Sequence, residues 1–233
     1  MLATMLRAAS LKDSPSIGGI PSDFIARYVF SGDYDDETEN YDATNSGSSF
    51  VEAGDGPAGT DAGITTGAGA FLTLPTSLAS ALGAGAGTAS FAVRTASFSS
   101  VLQILTGSDI SSNNKFLSIN FDPSTSKSRI VSNSVNVYTS NAISTSAWTH
   151  VIIRTTGSST SFRIGGVNTT KTVTAGSDTG AWFGDISSID NMHIGKLQRT
   201  TAIAGGEFDI AYMTLYSRHI SDAECVLLEN EYI

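Results

Sequence analysis

The sequence predicts an all-β fold, an antiparallel β-sandwich with a short C-terminal helix, and three observations support this prediction. Short candidate strands recur at close intervals along most of the chain, which is the spacing of a two-sheet antiparallel sandwich. The connections between them are rich in Gly, Ser, Thr, Ala and Asn, which turns favour. In residues 148–166, two alternating runs flank a Thr/Gly/Ser connector, and this pattern predicts a β-hairpin that crosses a half-buried sheet.

The strand signals begin after residue 23, where Phe24, Ala26, Tyr28 and Phe30 share one face of an alternating run. An acidic loop follows, and then a short strand that Pro75 ends. Residues 78–87 are predicted to be turn material with small side chains. The predicted strands after the first are 71–74, 90–95, 100–105, 115–121, 128–131, 135–138, 148–154, 161–164, 192–197 and 207–216. The last of these is apolar on both faces, so we expect a central strand.

One helix is predicted, over residues 222–229. Ser221 and Glu224 have the spacing of a capping box. In this motif the serine side chain accepts a hydrogen bond from a first-turn N–H, and the glutamate reaches back to the N–H of the serine. The helix therefore has a defined start directly after the last predicted strand.

The chain of 233 residues is long enough for one large β-sandwich, which we place at residues 23–233. Residues 1–22 stand apart as an arm or linker, because a weakly amphipathic piece is followed by Pro15 and by a Gly-Gly-Ile-Pro breaker at 18–21. Two interpretations of this arm stay open. It is either a disordered tail or an anchor that docks on another subunit.

The formal net charge of −9 and the pI near 4.6 argue against binding to nucleic acid or to an anionic membrane, because no Lys/Arg cluster is present to neutralise phosphates. A neutral or polyhydroxylated partner fits better. Cys225 is the single cysteine, so no intrachain disulfide forms, and its apolar neighbours predict a buried thiol. The sequence shows no signal-peptide core and no stretch of transmembrane length, so we expect folding in a cytoplasm without membrane insertion.

Five motifs occur in an order that resembles the laminin-G-like branch of the concanavalin A-like lectin/glucanase superfamily. They are ARYVFSGD, AFLTLP, WTHVIIRTTGSSTSFRIGGV, MHIGKL and FDIAYMTLYSRHISDAECVLLEN, and together they extend over residues 24–230. The positions that match the family hairpin are Trp148, His150, Val151, Phe162, Ile164, Gly165 and Gly166. The resemblance implies a two-sheet antiparallel jelly-roll sandwich, with binding loops along one rim or binding on the concave sheet. It does not specify a function.

The acidic loop at residues 33–42 is the candidate metal site. Hard cations such as Ca²⁺ prefer several carboxylate and carbonyl oxygens on a flexible turn, and Asp33, Asp35 and Asp36 are the predicted ligands. The resemblance supports this assignment, because members of the family often carry Ca²⁺ at a rim loop. The alternative is a solvated acidic loop without a metal.

Aromatic side chains in loops are the candidate sugar contacts, because the apolar face of a sugar ring matches a π surface. The predicted ligand-binding residues are Tyr34, Tyr41, Trp182 and Phe183, and Tyr138 is a further candidate. The alternative for Trp182 is that its side chain folds from its loop into the core.

No catalytic residue is predicted. Glu207 and Asp209 match the first half of the Glu-x-Asp-x-(x)-Glu strand of related glycosidases, but Ala211 and Tyr212 stand where the second glutamate belongs. Hydrolysis through this strand would lack its general acid. The three histidines are far apart in sequence and give no signal for a zinc site or a catalytic triad.

These observations predict a non-enzymatic binding or display module. Our main hypothesis is a bacteriophage virion surface protein, such as a head decoration, fibre or tail adhesion component, that is made in the host cytoplasm and attached to capsid or tail subunits through residues 1–22. The alternative is a lectin-like module that binds carbohydrates such as cell-surface glycans, with or without Ca²⁺. A divergent glycoside hydrolase is a third hypothesis, and homo-oligomers are compatible with each of them.

Overall fold

The computed structural model describes residues 19–67, 69–133 and 135–231, and it confirms the antiparallel β-sandwich. Two helices are α1 (Ser77–Leu82) and α2 (Asp222–Asn230). The strands are β1 (Ala26–Tyr28), β2 (Thr44–Ser46), β3 (Ser49–Phe50), β4 (Ile64–Thr66), β5 (Phe71–Leu74), β6 (Ala86–Arg94), β7 (Leu102–Ser108), β8 (Phe116–Asp122), β9 (Lys127–Ser132), β10 (Val135–Ala142), β11 (Thr149–Thr156), β12 (Thr160–Ile164), β13 (Val167–Thr169), β14 (Lys171–Ala175), β15 (Asn191–Ile194), β16 (Lys196–Gln198), β17 (Ala202–Ala204) and β18 (Phe208–Tyr216).

The strands form two eight-stranded sheets and one small hairpin. Sheet A has the order β13-β12-β11-β6-β18-β4-β3, and β1 pairs with β18 as well. Sheet B has the order β14-β10-β9-β8-β7-β15-β5-β2, and β16 pairs with β17 outside both sheets. All pairings of named strands are antiparallel, so the described chain has the ladder pattern expected of a sandwich.

The main core lies between the two sheets, because alternate residues of each strand point inward. Phe91 and Val93 of β6 meet Leu117, Ile119 and Phe121 of β8 in one continuous cluster of buried side chains. Truncating one of these phenylalanines to alanine would cost about 3–5 kcal/mol. The core therefore fixes which face of each strand is left for other contacts.

The predicted hairpin is present as β11 and β12, with Val151 opposite Ile164 and Thr155 opposite Thr160. Its first strand lies between β6 and β12, inside sheet A. Since Ile153 is fully buried, the hairpin contributes to the core as expected from its alternating pattern.

Helix α2 begins at the predicted capping box and covers the outward face of sheet A. The N–H of Glu224 donates to Ser221 Oγ, and Ser221 N–H donates to Glu224 Oε2. Cys225 and Leu228 pack on Ile152 in a second apolar cluster on this face. The ion pairs Arg154–Asp222, Arg163–Glu229 and Arg218–Glu224 hold the helix at 2.6–2.7 Å. This face is therefore filled by the protein itself.

Helix α1 replaces the turn predicted for residues 78–87. Leu78 and Leu82 are four residues apart and both are fully buried, so a single helical turn brings them onto the core. The surrounding Ala, Ser and Gly residues hide this signal, because they are equally common in turns. The prediction of turn material was therefore wrong for residues 78–82.

The end of the predicted N-terminal arm packs against the sandwich. Ile20 joins Phe24 at the second apolar cluster, and the Tyr216 hydroxyl donates to the Pro21 carbonyl oxygen at 3.1 Å. Residues 1–18 lie outside the described residues. In the part of the chain that the structure describes, no helix has the length and apolar character needed to span a membrane.

Candidate functional site

The structure does not assemble Asp33, Asp35 and Asp36 into the predicted Ca²⁺ site. Asp36 is 1 % exposed; its Oδ1 accepts the Arg27 backbone N–H at 2.6 Å, and its Oδ2 accepts the Thr38 hydroxyl. Asp33 accepts the Asp35 N–H at 3.3 Å. Across residues 19–67, 69–133 and 135–231, no group of three or more His, Cys, Asp or Glu side chains is placed to hold a metal. The carboxylate of Asp36 fixes the loop instead.

Trp182 and Phe183, which we predicted to bind ligand, are both fully buried between the sheets. Their rings meet edge to face at 5.2 Å between centroids, and Trp182 lies directly against Gly87 of β6. Neither ring has a face available to a sugar. The structure therefore supports the core role that we gave as the alternative for Trp182.

Tyr34 and Tyr41 are half-buried. They lie in the loop before β2, at the end of the sandwich where β2 and β3 are the edge strands of their sheets. Tyr34 stacks on Phe50 at 4.8 Å and donates its hydroxyl to the Ser48 carbonyl oxygen. The Tyr41 carbonyl oxygen accepts the hydroxyl of Tyr28. These contacts close the edge of the core, and the ligand role predicted for both tyrosines stays a prediction.

Of the two acidic residues that match the glycosidase strand, Asp209 of β18 has structural partners. Asp209 Oδ1 accepts the Thr65 hydroxyl at 2.6 Å, and Oδ2 accepts Arg94 Nε at 2.8 Å. Glu207 is exposed at the start of the strand. The carboxylate of Asp209 thus ties β18 to β4 and β6.

Two histidines occupy sheet surfaces rather than a shared site. His150 of β11 shares a 2.8 Å hydrogen bond between its Nε2 and Ser90 Oγ, and burial, with Arg163 nearby, lowers its pKa to about 3. His193 of β15 is buried against Phe71, and burial together with Lys196 lowers its pKa to about 4. Both rings are therefore neutral at pH 7, and they lie in different sheets.

The candidate binding surface is the outward face of sheet B, which carries a row of polar side chains in register across four strands. Gln103 of β7 lies opposite Asn120 of β8, Asn120 opposite Arg129 of β9, and Arg129 opposite Tyr138 of β10. These residues alternate with core residues such as Ile119, so their side chains point away from the interior. We call Gln103, Asn120, Arg129 and Tyr138 the polar row.

Hydrogen bonds between neighbours hold the polar row in a fixed orientation. Ser118 Oγ accepts from Asn120 Nδ2 and donates to Gln103 Oε1, each at 2.7 Å. Arg129 Nε donates to Asn120 Oδ1. Gln103 and Asn120 are each only 3 % exposed, so these bonds form a buried support that fixes the orientation of the partly exposed Arg129.

Arg129 lies at the accessible end of the row. Its Nη1 donates to Asp122 Oδ2 at 2.8 Å and to the Tyr138 hydroxyl at 2.6 Å. Its guanidinium lies 5.4 Å from the centre of the Tyr138 ring, which is within the range of a cation–π contact. The side chains of Arg129 and Asp122 are 16 % and 13 % exposed, so each keeps only a small part of its surface open on this face.

The hairpin of β16 and β17 crosses the other half of the same face. Thr106 of β7 donates its hydroxyl to the Lys196 carbonyl oxygen at 2.6 Å, and Ser108 donates to that of Gln198. The hairpin covers β7 and leaves the strands that carry Arg129 and Tyr138 beside it. The outward face of β8, β9 and β10 is therefore bordered on one side by the hairpin of β16 and β17.

Sequence reasoning found Tyr138 but missed the rest of the polar row. The signal was present, because Ser118 and Asn120 alternate with Leu117, Ile119 and Phe121 in one strand. Such alternation predicts a strand with one polar face, but it does not say which strands are neighbours. The register across β7, β8, β9 and β10 was needed to bring the residues together.

No protein-family model matches the sequence, and no curated protein matches it either. Solved structures do share its fold. The Trypanosoma rangeli sialidase superposes with a TM-score of 0.65 at 13% identity over 99% of this chain, which spans only 38% of the sialidase.

Two smaller domains match over most of their own length. Domain 4 of AbnA, a GH43 extracellular arabinanase of Geobacillus stearothermophilus solved in complex with arabinotriose, has a TM-score of 0.64 at 14% identity, with 91% of this chain and 98% of that chain covered. The CBM40 of the Ruminococcus gnavus IT-sialidase, bound to α2,3-sialyllactose, has a TM-score of 0.53 at 16% identity, with 67% and 87% covered. At these identities the likeness shows the fold alone, which is an antiparallel β-sandwich.

Proposed function

We propose that this protein is a non-catalytic carbohydrate-binding module that holds a glycan on the outward face of sheet B. The observation that carries the proposal is the polar row, which places amide, guanidinium and phenol groups in register across four strands. Polar groups are expensive to gather on a sheet surface unless they are satisfied, and here they are satisfied by one another.

The chemistry of the row suits a polyhydroxylated ligand. The planar guanidinium of Arg129 offers donors to neighbouring hydroxyls, and the buried amide of Asn120 holds it in place. Tyr138 adds an aromatic ring beside them, which matches the apolar face of a sugar ring. Since Arg129 and Tyr138 are the half-exposed members, we expect them to make the first contacts.

The similar structures support this proposal, because two matched domains were solved with oligosaccharides, arabinotriose and α2,3-sialyllactose. The proposal of a non-catalytic role draws on β18, where both carboxylate oxygens of Asp209 are hydrogen-bonded. Glu207 is the other carboxylate of this strand pattern. We expect Glu207→Gln and wild type to show the same level of polysaccharide-degrading activity.

The virion role predicted from the sequence stays a prediction. The similar structures named above are glycosidases and domains of glycosidases, and most of the proposed anchor, residues 1–18, lies outside the described residues. Deleting residues 1–18 and measuring incorporation into phage particles would test it.

A glycan array probed with wild type, Arg129→Gln and Tyr138→Ala tests the proposed site. We expect wild-type binding that falls by at least tenfold in both variants, because each removes a group at the accessible end of the row. Phe50→Ala is the matched control, since this aromatic side chain is 36 % exposed at the β3 edge and away from the row. Equal loss in the control, or no binding by any of the proteins, would refute the proposed function.

A further inference from the structure

We propose that the ligand of this face is an anionic glycan, whose carboxylate or sulfate groups are held by Lys127, Lys196 and Arg199 around the polar row. The inference rests on the proposed function and names its ligand class. It comes from the distribution of paired and unpaired cations over the molecule.

Most Lys and Arg side chains of the described residues form an ion pair with a carboxylate. Arg27, Arg94, Arg154, Arg163 and Arg218 on sheet A, and Lys115, Arg129 and Lys171 on sheet B, each lie within 4.0 Å of an Asp or Glu oxygen. Within residues 19–67, 69–133 and 135–231, no such carboxylate contact is found for Lys127, Lys196 or Arg199.

These three cations share one side of the molecule. Lys127 is two residues before Arg129 in β9, so its side chain leaves the sheet on the same face. Lys196 and Arg199 belong to the β16 end of the hairpin that crosses β7 on this face. Among the described residues, the positive charge without a carboxylate partner therefore lies on the surface that carries the polar row, although the chain as a whole has a net charge of −9.

Aromatic rings hold two of the cations in place without neutralising them. Lys196 Nζ lies 4.4 Å from the centre of the Phe71 ring, and Arg199 Cζ lies 4.7 Å from that of Phe116. Arg199 also donates from Nη1 to the Asn113 carbonyl oxygen at 2.9 Å. A cation that rests on a ring keeps its full charge, so both remain available to an anion.

The carboxylates of the neighbouring segments do not balance this positive charge. Asp122 pairs with Arg129 and also lies opposite Lys127 in the ladder, and Asp109 pairs with Lys115. Asp190 precedes β15, where its Oδ1 accepts hydrogen bonds from the Ile110 N–H and from Asn191 Nδ2. Because the Debye length is about 8 Å at physiological salt, this local balance governs a ligand on the face more than the distant acidic surface does.

The test uses the full chain and compares probes by isothermal titration calorimetry at low and physiological salt. Polygalacturonate and hyaluronate supply carboxylates, heparin supplies sulfates, and linear arabinan and dextran are neutral. The double variant Lys196→Gln/Arg199→Gln should weaken binding of an anionic probe by about tenfold at low salt, and salt should weaken wild-type binding. Lys171→Gln is the control: it removes the same type of charge, but one that Asp178 already neutralises.

Each outcome decides a separate question. Binding of heparin alone, or of the carboxylate polymers alone, supports the inference and identifies the anionic group. Binding of arabinan or dextran that depends on Arg129 but not on Lys196 and Arg199 would overturn the inference and leave the proposed function standing. Binding of none of the probes would count against both. An equal loss in Lys171→Gln would show a non-specific charge effect and overturn the inference.

Discussion

The contact between Gly87 and Trp182 gives the sharpest test of the core. A methyl group at Gly87 would lie 2.1 Å from two atoms of the Trp182 ring, well inside any allowed carbon contact. The ring is fully buried and is packed edge to face on Phe183, so it has little room to move away. We expect Gly87→Ala to lower the free energy of unfolding by about 3 kcal/mol, the upper part of the range for overpacking.

A double-mutant cycle makes this reasoning refutable. Trp182→Ala alone should cost about 3–5 kcal/mol through the lost burial and the cavity. The double variant Gly87→Ala/Trp182→Ala should be more stable than the sum of the two effects predicts, with a coupling of about 1–3 kcal/mol, because the methyl group no longer meets the ring. Urea unfolding followed by circular dichroism measures all four proteins. A neutral Gly87→Ala, or strict additivity, would show that Trp182 does not lie on β6 and would reopen its role as a ligand contact.

Two other predictions concern carboxylates. Asp36→Ala should lower the free energy of unfolding by about 1–3 kcal/mol, because it leaves the Arg27 N–H and the Thr38 hydroxyl without their acceptor. Asp33→Ala, at an exposed position, should change it by less than about 0.5 kcal/mol. Thermal melts with and without EDTA check this prediction, and a loss of stability in wild type on chelation would restore the metal site. The pKa of Glu224 is lowered to about 2, mainly by Arg218, so its stabilisation is complete above its ordinary value of 4.5 and is lost as the pH falls towards 2. Glu224→Gln should therefore destabilise the protein at pH 7 but not near pH 2, as urea midpoints at the two pH values would show, and an equal difference at both would refute this pairing.

The fold was predictable where side-chain alternation is strong. Residues 148–154 and 207–216 read as strands because apolar side chains recur at every second position, and β11 and β18 occupy those places. Strand β14, with the sequence KTVTA, was not predicted. Four of its residues are exposed, so its sequence does not alternate between apolar and polar side chains. Helix α1 escaped because its two leucines are separated by small residues that suit turns equally well.

The site was less predictable, because it depends on neighbours that the sequence does not fix. A loop rich in Asp and Glu looks like a cation site, but Asp36 turns inward to meet the Arg27 backbone. A Trp-Phe pair between glycines looks exposed, but the Trp182 ring lies against Gly87 of β6, and Gly184 lies against the backbone of Gly83 and Ala84. In both cases a residue type that suits ligand binding also suits packing, and only the contacts distinguish the two.

The two outward faces of the sandwich differ in a way that restricts where recognition occurs. The chain leaves the last strand of sheet A and immediately folds α2 back onto that sheet, where Arg154, Arg163 and Arg218 meet Asp222, Glu229 and Glu224. A ligand on that face would have to displace a helix and its ion pairs. On sheet B the corresponding arginine, Arg129, contacts Asp122, Asn120 and Tyr138, which all belong to strands of the same sheet, and no helix is among these partners. Because α2 and its ion pairs occupy the outward face of sheet A, whereas Arg129 and Tyr138 on sheet B keep part of their surface exposed, a glycan is expected on sheet B.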